Sequence, residues 1–270
     1  MEFMKKILEN SHAEIAPPLS SPEEEHWYLP LFAVYHPKKG SVRCVFESSA
    51  QMNGISLNSV LLTGPDLVNC LLGILLRFRQ FRVAVTADVE QMFYRLSVPV
   101  CHRNYLRFFW HRDNDVEKEL IEYRMKRHVF GNSASPAVAT LGLCRTLRNA
   151  DEDVQQFVCR NFYVDDGLLS VDTVEEAVDL LSKTQKILKE EGNIRLHKLA
   201  SNDPRVCNAF PKKDLTKDIK DLNLDLEETP LQRTLGVSWS VSSDTFTFQV
   251  SRTLQPYTKR GVLATINSLY

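Results

Sequence analysis

Three aspartates carry the chemistry that this sequence could perform. Asp165 and Asp166 are adjacent, and Asp88 ends an apolar run earlier in the chain. Two neighbouring carboxylates repel each other and lose hydration, so they usually need a cation. If the strands that hold Asp88 and Asp165 are neighbours, their carboxylate oxygens converge, and such a site suits Mg²⁺. The alternative that the residues leave open is an Asp-Gly turn with one extra, solvated aspartate.

The acid pair is expected to lie at the tip of a hairpin. Residues 157–164 are mostly apolar and predict the first strand, and residues 168–171 predict the returning strand. The Asp-Gly step between them supplies the turn, because glycine accepts a positive φ without penalty. Residues 82–89 predict a further strand, in which Asp88 comes near the end. An acid at the end of a buried strand is costly unless it is paired or binds a metal, which assigns Asp88 to the same site.

Helices and hairpins alternate along the rest of the chain, so the expected fold class is α+β. Residues 1–27 are expected to form a polar, poorly packed arm with a short helix at residues 4–8. The helix that follows the acids has a capping box at Thr173 and Glu176 and is closed by Gly192. Hairpins are predicted over residues 28–47, 105–125 and 234–250, a short strand over residues 95–98, and helices over residues 61–76, 137–147, 172–191 and 259–270.

Composition and charge limit the classes of partner. The chain has 270 residues and a net charge of -1, so nucleic acid could be bound only by local basic patches. Two such patches are residues 77–82 and 124–127, although either could be solvated surface. The six cysteines form no C-x-x-C pair, which argues against a zinc site or a disulfide scaffold and indicates a reducing compartment. No apolar run approaches the roughly 20 residues that span a bilayer, so we expect a cytoplasmic protein with no membrane partner.

A series of motifs resembles those of a reverse transcriptase, most closely that of the Bel–Pao class of long-terminal-repeat retrotransposons. The Tyr-x-Asp-Asp box is Tyr163–Asp166, the first-aspartate motif is Thr86–Tyr94, and the fingers motif is Arg43–Ser49. The other matching segments are Gly54–Asn58, Leu62–Pro65, Gly131–Pro136, Lys198–Asn202 and Leu235–Trp239. Three positions depart from patterns common in such enzymes without removing a metal ligand: Glu47, Met92 and Phe130.

The resemblance implies a right-hand polymerase fold, in which a palm with a central antiparallel sheet and packed helices adjoins β-rich fingers. The implied divisions are an N-terminal arm (1–27), fingers (28–63 and 96–133), a palm (64–95 and 134–240) and a palm–thumb junction with a truncated thumb (241–270). The chain contains no motif of an RNase H, an integrase or a retropepsin. RNase H and integrase are expected as further domains of a polyprotein.

The activity implied by the resemblance is RNA-directed DNA polymerisation. Deoxynucleoside triphosphates (dNTPs) would be added to the 3′-hydroxyl of a primer on an RNA or DNA template. Two Mg²⁺ ions, or Mn²⁺ in their place, can activate the hydroxyl and stabilise the leaving pyrophosphate in an in-line displacement. The implied metal ligands are Asp88, Val89, Asp165 and Asp166, and the implied catalytic residues are Asp88, Asp165, Asp166 and Lys198, with Lys198 as the proton donor to pyrophosphate.

The resemblance also implies how nucleotide and primer are held. Phe93 takes the place of an aromatic gate that crowds a ribose 2′-hydroxyl, and Arg43 would stack on the incoming base. The backbone amides of residues 89–93 would cradle the triphosphate. The implied nucleotide-binding residues are Lys38, Lys39, Arg43, Val89, Glu90, Gln91, Met92, Phe93, Gly131, Ser135 and Pro136. The implied primer and template contacts are Tyr163, Leu235, Gly236 and Trp239.

Other interpretations stay open. The Lys-Lys-Gly turn at residues 38–40 could be solvated, and the small-residue loop at residues 130–136 could be an ordinary helix entry. A catalytically inactive retrotransposon remnant, or a co-opted nucleic-acid-binding protein, would keep the motifs without the activity. A two-metal nuclease would share the carboxylates but would not explain the gate at Phe93. The resemblance also places the protein inside the cell, in virus-like particles.

Overall fold

The computed structural model describes residues 2–36, 41–216, 231–234, 237–241, 243–247 and 256–267. Four predicted site residues lie outside the described residues: Lys38, Lys39, Leu235 and Gly236. The chain divides into two compact units, each built from two separate stretches. The first unit comprises Met1–Val68 and Gln91–Arg145, and the second comprises Asn69–Glu90 and Thr146–Tyr270.

Helices and strands alternate through both units. The helices are α1 Glu2–Glu9, α2 Leu57–Val60, α3 Leu71–Phe78, α4 Met92–Arg95, α5 Ser135–Arg145, α6 Glu152–Asn161, α7 Val174–Gly192, α8 Pro204–Asn208 and α9 Lys259–Asn267. The strands are β1 Ala13–Ile15, β2 Leu31–His36, β3 Ser41–Phe46, β4 Gln51–Met52, β5 Ile55–Ser56, β6 Val83–Val89, β7 Arg107–His111, β8 Leu120–Met125, β9 Phe162–Tyr163, β10 Asp166–Val171, β11 Leu196–Ser201, β12 Leu231–Thr234, β13 Val237–Ser240 and β14 Thr245–Thr247. Short 3-10 helices span Val100–Leu106, Arg112–Asn114 and Lys212–Asp214.

The described part of the first unit is built from small antiparallel sheets. One has the order β1-β8-β7, while β2 pairs with β3 and β4 pairs with β5. The predicted hairpins at residues 28–47 and 105–125 are therefore confirmed. The side chains of α1, β7 and β8 share one hydrophobic core, which includes Met4, Ile7, Phe108, Tyr123, Met125 and Val129.

The N-terminal segment belongs to this core. The predicted helix is confirmed as α1, but the prediction of a poorly packed arm is wrong. Met4 is 0% exposed and Ile7 is 2% exposed, and β1 pairs with β8 so that Ala13 lies opposite Met125. The sequence did not predict β1, because a strand of three residues is too short for its apolar alternation to be recognised.

A network of charges, which we call the arginine cluster, joins β1 to β7 and β8. Arg107 is 1% exposed, and its guanidinium donates to Glu122 at 2.6 Å and to Asn104 at 3.0 Å. Arg124 donates to Glu14 and to Asn104, both at 2.9 Å. Each buried guanidinium therefore has a carboxylate partner, which is the condition for burying charge in a folded protein. The cluster consists of Glu14, Arg103, Asn104, Arg107, Glu122 and Arg124.

The second unit is organised around a four-stranded antiparallel sheet in the order β11-β6-β10-β9. β6 lies between β10 and β11, and its residues 83–87 are all buried, which explains their unbroken run of apolar and small side chains. Helices α3, α6 and α7 pack on β10. The predicted capping box of α7 is confirmed, because the Thr173 side chain accepts from the Glu176 amide. Its last helical residue is followed by Asn193 in the left-handed conformation, so Asn193 rather than Gly192 closes the helix.

Two predictions near the sheet are wrong. Residues 157–159 belong to α6, where Val154, Phe157 and Val158 are buried at helical spacing. The short apolar run resembles a strand because its helical period is visible only when Val154 is included. The helix predicted over residues 61–76 begins only at α3, and before it the Asp66 carboxylate accepts from the Val68 amide at 3.1 Å. Such a local bond competes with helix formation.

The strand predicted over residues 95–98 is also wrong. Arg95 ends α4, and the Leu96 amide donates to the Phe93 carbonyl at 3.2 Å. Only Ser97 makes a strand-like bridge, with Arg127. The one-turn helix takes up Arg95, and the pairing of residues 96–98 with residues 126–128 is limited to one bridge and two flanking backbone hydrogen bonds, from Val98 to Lys126 and from His128 to Leu96.

The described C-terminal residues form a sheet of β12, β13 and β14, followed by α9. The described part of the predicted hairpin is confirmed, because Trp239 pairs with Phe246. Trp239 is 0% exposed and packs edge-on against Phe78 of α3, with ring centroids 4.9 Å apart. Within the described ranges, no helix has the length and apolar character needed to cross a bilayer. No disulfide links the six cysteines, all of which lie in the described ranges.

Candidate active site

The register of three neighbouring strands brings the acids to one place. β10 runs antiparallel to β6, so that Asp166 lies opposite Asp88, and β11 places His197 opposite Asp88 on the other side. Asp165 is held beside the same strand end, because the Val89 amide donates to its carbonyl oxygen at 2.9 Å. The sheet therefore gathers the three aspartates that the sequence singled out.

The hairpin that carries the acid pair turns earlier than the sequence predicts. Tyr163 and Asp166 are paired across β9 and β10, which leaves Val164 and Asp165 as a two-residue turn. Val164 has φ 57°, a left-handed conformation that costs a β-branched residue roughly 1–2 kcal/mol. Strain of this kind persists only where the surrounding structure holds it, and it is concentrated at functional sites.

Gly167 serves the packing of this hairpin rather than its turn. A Cβ atom at this position would lie 2.5 Å from Cζ of Phe162, which is closer than real carbon contacts allow. The Phe162 ring in turn contacts Phe157 of α6 edge-on, with centroids 5.2 Å apart. The glycine that suggested a turn is thus required by close contact between the strand and an aromatic ring.

Both carboxylate oxygens of Asp88 accept hydrogen bonds. His197 Nε2 lies 2.9 Å from Oδ1, and Lys198 Nζ lies 2.6 Å from Oδ2. Successive side chains of a regular strand point to opposite faces, but the pairing of β11 shifts register between His197 and Ala200, and Lys198 has φ 50°. Burial raises the pKa of Asp88, but the hydrogen bonds and charges of His197 and Lys198 outweigh burial and hold that pKa below its usual value.

The pKa values of Asp165 and Asp166 are raised, whereas that of Asp88 is lowered. Burial raises the pKa of Asp165, and a backbone hydrogen bond and the charge of Lys198 only partly oppose it. Burial, followed by the charges of Asp165 and Asp88, raises the pKa of Asp166 to about 7. Acids crowded in this way are stabilised by a nearby cation.

The chemistry of these donors fits a hard divalent cation. Asp88, Asp165 and Asp166 offer carboxylate oxygens, which Mg²⁺ and Mn²⁺ prefer. Because burial and then the two neighbouring acids raise the pKa of Asp166, a bound cation would favour its ionised form. Asp88 is at present directed to His197 and Lys198, and within the described ranges no group of three or more His, Cys, Asp or Glu side chains is arranged as a metal site.

Val89 and Glu90 are fixed by bonds within the second unit. The Val89 amide donates to Asp165, and the Glu90 amide donates to the Arg195 carbonyl at 2.9 Å. The Glu90 carboxylate also pairs with the Arg195 guanidinium at 3.1 Å, and that guanidinium donates to Asp214 as well. These two amides are therefore not available to a triphosphate in this structure, which corrects the predicted cradle to residues 91–93.

Residues 91–94 of the first-aspartate motif belong to the first unit. Gln91 precedes α4 with φ 52° and ψ 44°, and Met92 is buried. Phe93 is half-buried and contacts Phe130 edge-on, with ring centroids 5.5 Å apart. Phe130 itself is 69% exposed. The predicted gate is therefore part of an aromatic pair whose outer member faces solvent.

The loop before α5 is packed against β3. Gly131 has φ 116°, and a Cβ there would lie 2.9 Å from the Phe46 carbonyl oxygen, so only glycine suits the position. Ser135 is 1% exposed and its hydroxyl donates to the Val129 carbonyl at 2.9 Å. The Ser135 hydroxyl therefore supports the helix entry, and a nucleotide contact by Ser135 stays a prediction. Pro136 lies in the first turn of α5.

Other predicted contacts are placed as follows. Tyr163 is half-buried in β9, and Arg43 lies in β3 opposite Val34. Trp239 is in the core of the second unit, and its Nε1 donates to Asp244 at 2.9 Å. The prediction that Trp239 contacts the primer is therefore wrong for its side chain, because the whole indole is buried.

The two basic patches are largely used within their own units. Arg124 belongs to the arginine cluster. Arg77 donates to Asn161 Oδ1 at 2.6 Å, and Arg79 pairs with Asp244. Arg77, Arg79 and Arg124 therefore have protein partners, whereas Arg82 is exposed, and phosphate contact by the two patches stays a prediction.

Sequence reasoning missed His197, which binds the first aspartate of the site. The residue was visible beside Lys198 in a predicted strand, but alternation along that strand would turn the two side chains to opposite faces. Only the irregular pairing of β11 with β6 brings both to Asp88.

No protein-family model and no curated protein matches the chain. Solved structures do match. The foamy viral protease-reverse transcriptase dRH with double-stranded DNA has 18% identity and a TM-score of 0.65, over 99% of this chain and 39% of that one. The foamy viral protease-reverse transcriptase has 17% identity in two complexes. The complex with double-stranded DNA has a TM-score of 0.63, and the match covers 98% of this chain and 45% of that one. The complex with RNA/DNA hybrid has a TM-score of 0.61, and the match covers 98% of this chain and 29% of that one.

These matches establish the fold. The chain has a reverse transcriptase-like fold of helices and antiparallel sheets, as the sequence predicted. It spans less than half the length of the foamy viral chains that it matches.

Proposed function

We propose that this chain is the catalytic core of an RNA-directed DNA polymerase, which adds dNTPs to the 3′-hydroxyl of a primer. The observation that carries the proposal is the register that sets Asp166 opposite Asp88, with Asp165 bonded to the same strand end. An arrangement that raises the pKa of two acids is costly for an ordinary turn, and such perturbed groups are concentrated at functional sites. The reverse transcriptase-like fold supports this choice among two-metal enzymes.

Asp88, Asp165, Asp166 and the Val89 backbone would hold two Mg²⁺ ions, or Mn²⁺ in their place. When bound, such ions supply charge neutralisation at the attacking and leaving oxygens of phosphoryl transfer. The chain's own contribution is to fix the oxygen donors on neighbouring strands of one sheet. His197 and Lys198 keep Asp88 ionised and oriented until the site is loaded.

Lys198 would act on the leaving group. Its ammonium lies 2.6 Å from Asp88, so a positively charged proton donor is held beside the acids. In this role Lys198 gives a proton to the pyrophosphate oxygen as its bond to the α-phosphorus breaks. The backbone irregularity at Lys198 is then the feature that aims the donor at the site.

Substrate choice would depend on the first unit. Phe93, in contact with Phe130, would exclude a ribose 2′-hydroxyl by steric clash and so favour dNTPs. The proposed partners are dNTPs and a primer on an RNA or DNA template, which is the class of nucleic acid bound in the foamy viral complexes. From the resemblance of the motifs we also propose that the chain comes from a Bel–Pao class retrotransposon, as part of a polyprotein with RNase H and integrase that acts within the cell in virus-like particles.

Single-nucleotide extension of a DNA primer on an RNA template tests the proposal. Asp165→Asn should lower the rate in Mg²⁺ or Mn²⁺ by roughly 10³-fold or more, because it removes a charged metal ligand. Asp172→Asn is the matched control, because Asp172 is an exposed aspartate of the same unit and should leave the rate unchanged. Folded wild-type protein that extends nothing with either ion, even in excess over primer, would reject the polymerase assignment.

One observation favours a second function, nucleic-acid binding without catalysis. Both oxygens of Asp88 already accept hydrogen bonds from His197 and Lys198, so part of the acid charge is compensated within the chain. An inactive descendant could keep the fold in this way. Salt-dependent binding of an RNA/DNA hybrid, unchanged in Asp165→Asn and without extension by wild type, would support this second function over the first.

A further inference from the structure

A histidine of the N-terminal segment reaches the turn between β6 and α4. The His12 amide donates to the Ile7 carbonyl at 2.9 Å, and the His12 carbonyl accepts from the Lys126 amide at 2.7 Å. The His12 ring is stacked on Tyr94 of α4, with centroids 4.8 Å apart and 10° between the planes. Its Nε2 lies 3.4 Å from Gln91 Oε1. Backbone hydrogen bonds therefore fix His12 in place, and its ring contacts Gln91 in the turn and Tyr94 in α4.

The residues that His12 touches lie on either side of the predicted gate. Gln91 adopts the left-handed conformation, and its side chain caps no amide of α4. A non-glycine residue in this conformation costs about 1 kcal/mol or more and depends on its surroundings to stay there. Tyr94 follows Phe93 directly in a helix of one turn, so a shift of the backbone at Tyr94 also shifts Phe93.

The His12 ring is deeply buried and is matched to these two partners. The residue is 8% exposed, and within the described ranges its Nδ1 is buried without a hydrogen-bond partner. Burial lowers the pKa of His12, and the charges of nearby basic side chains lower it further against the opposing effect of the bond to Gln91. The neutral ring can therefore donate its Nε2 proton to Gln91 while its face lies on Tyr94.

The geometry points to His12 as a positioning residue for nucleotide selection, which sets the orientation of Phe93 through Tyr94 and Gln91. The inference rests on the proposed polymerase function and adds to it a second support for the gate, besides the contact with Phe130. It gives the N-terminal segment a part in the choice between dNTPs and ribonucleoside triphosphates (rNTPs).

Primer extension with dNTP and with rNTP tests the inference in wild type, His12→Ala and His12→Phe. His12→Ala should raise the KM for dNTP and lower the preference for dNTP over rNTP by roughly 3- to 10-fold, with primer affinity unchanged. His12→Phe keeps a ring on Tyr94 and should recover most of the preference. His102→Ala is the matched control, because His102 is an exposed histidine of the same unit.

A folded His12→Ala protein with unchanged KM and unchanged preference would overturn the inference, and so would a His102→Ala protein with the same defect. If His12→Ala does not fold, His12→Gln takes its place, because it also lacks the ring and carries the same expectation. Hydrogen exchange at the amides of residues 91–95 separates the two proposals. Wild type without extension rejects the polymerase, whereas exchange that is no faster in the His12 variant rejects the support of the turn by His12.

Discussion

In the arginine cluster of the first unit, the buried guanidinium of Arg107 donates to Glu122 and Asn104, and that of Arg124 donates to Glu14. At the end of β6 in the second unit, three acids lie together instead, and among these three it is Asp88 that accepts hydrogen bonds from Lys198 and His197. Charge is paired in the first region and left in excess in the second.

The difference distinguishes charges that hold a fold from charges that prepare a reaction. The pKa of Glu14 is lowered, because hydrogen bonds from Arg124 and Arg103 outweigh the opposing effect of burial. The pKa of Asp166 is raised to about 7 by burial and by its two acidic neighbours. Ionised Glu14 therefore stabilises the folded state, whereas ionised Asp166 destabilises it. A destabilising cluster that the fold nevertheless assembles is best explained by a ligand.

The largest change in the free energy of unfolding is expected from a substitution in the arginine cluster. Arg107→Ala removes a nearly fully buried guanidinium and deprives Glu122 of its ion pair and Asn104 of one of its two arginine donors. We expect the free energy of unfolding to fall by roughly 3 kcal/mol, measured by urea denaturation. Arg112→Ala, which breaks an exposed pair with Glu119 in the same unit, should leave the free energy of unfolding almost unchanged. Equal effects of the two variants would contradict the distinction between buried and exposed pairs.

At the three acids we expect a substitution to raise the free energy of unfolding rather than to lower it. Asp166 has a pKa of about 7 in the folded state, against about 3.9 in an unfolded chain. Its destabilising effect is therefore absent below about pH 4, grows between pH 4 and 7, and is complete above pH 7. Without divalent cations, Asp166→Asn should raise the free energy of unfolding at pH 8 by on the order of 2 kcal/mol, after discounting for partial exposure, and should have little effect at pH 4.

Thermal unfolding at both pH values, with Asp172→Asn as the exposed control, measures this effect. Added Mg²⁺ should stabilise wild type more than Asp166→Asn and so reduce the difference. If Asp166→Asn were less stable than wild type at pH 8, the prediction would be wrong, because the negative charge of Asp166 would then be compensated by other groups of the folded chain.

The smallest change in the free energy of unfolding is expected at Glu14. Its dependence on pH is the reverse of that expected at Asp166. Because the folded pKa of Glu14 is lowered, its contribution to stability is present above the unfolded value and is lost as pH falls through the folded value. Glu14→Gln should lower the free energy of unfolding by about 1 kcal/mol at pH 7, with the difference disappearing towards pH 3. Glu9→Gln, at an exposed pair with Lys5, is the control and should show neither the loss nor the pH dependence.

The parts of the structure that the sequence predicted are those with long, regular patterns. The apolar run of β6, the capping box of α7 and the alternation in β3 each agree with one local rule, and each is confirmed. The convergence of Asp88 with Asp165 and Asp166 was also expected from strand ends. It depends on which strands are neighbours, which the sequence suggested only through the resemblance.

The parts that could not be predicted depend on contacts between distant residues. Gly167 is required by the ring of Phe162 rather than by a turn, and no local rule distinguishes the two uses of glycine. His197 reaches Asp88 because of a register shift. Trp239 is buried although its motif suggested contact with the primer, because its indole fills the space beside Phe78. In each case the decisive partner is far away in sequence.

The interleaving of the two units has a consequence for synthesis on the ribosome. β1 emerges well before its partner β8 at Leu120–Met125, and β6 must likewise wait for β10 at Asp166–Val171. Neither unit can close while its second stretch is still inside the ribosome. The nascent chain therefore carries the apolar side chains of Met4 and Ile7 uncovered through much of translation, and both units depend on late, long-range pairing, which is slow and prone to aggregation.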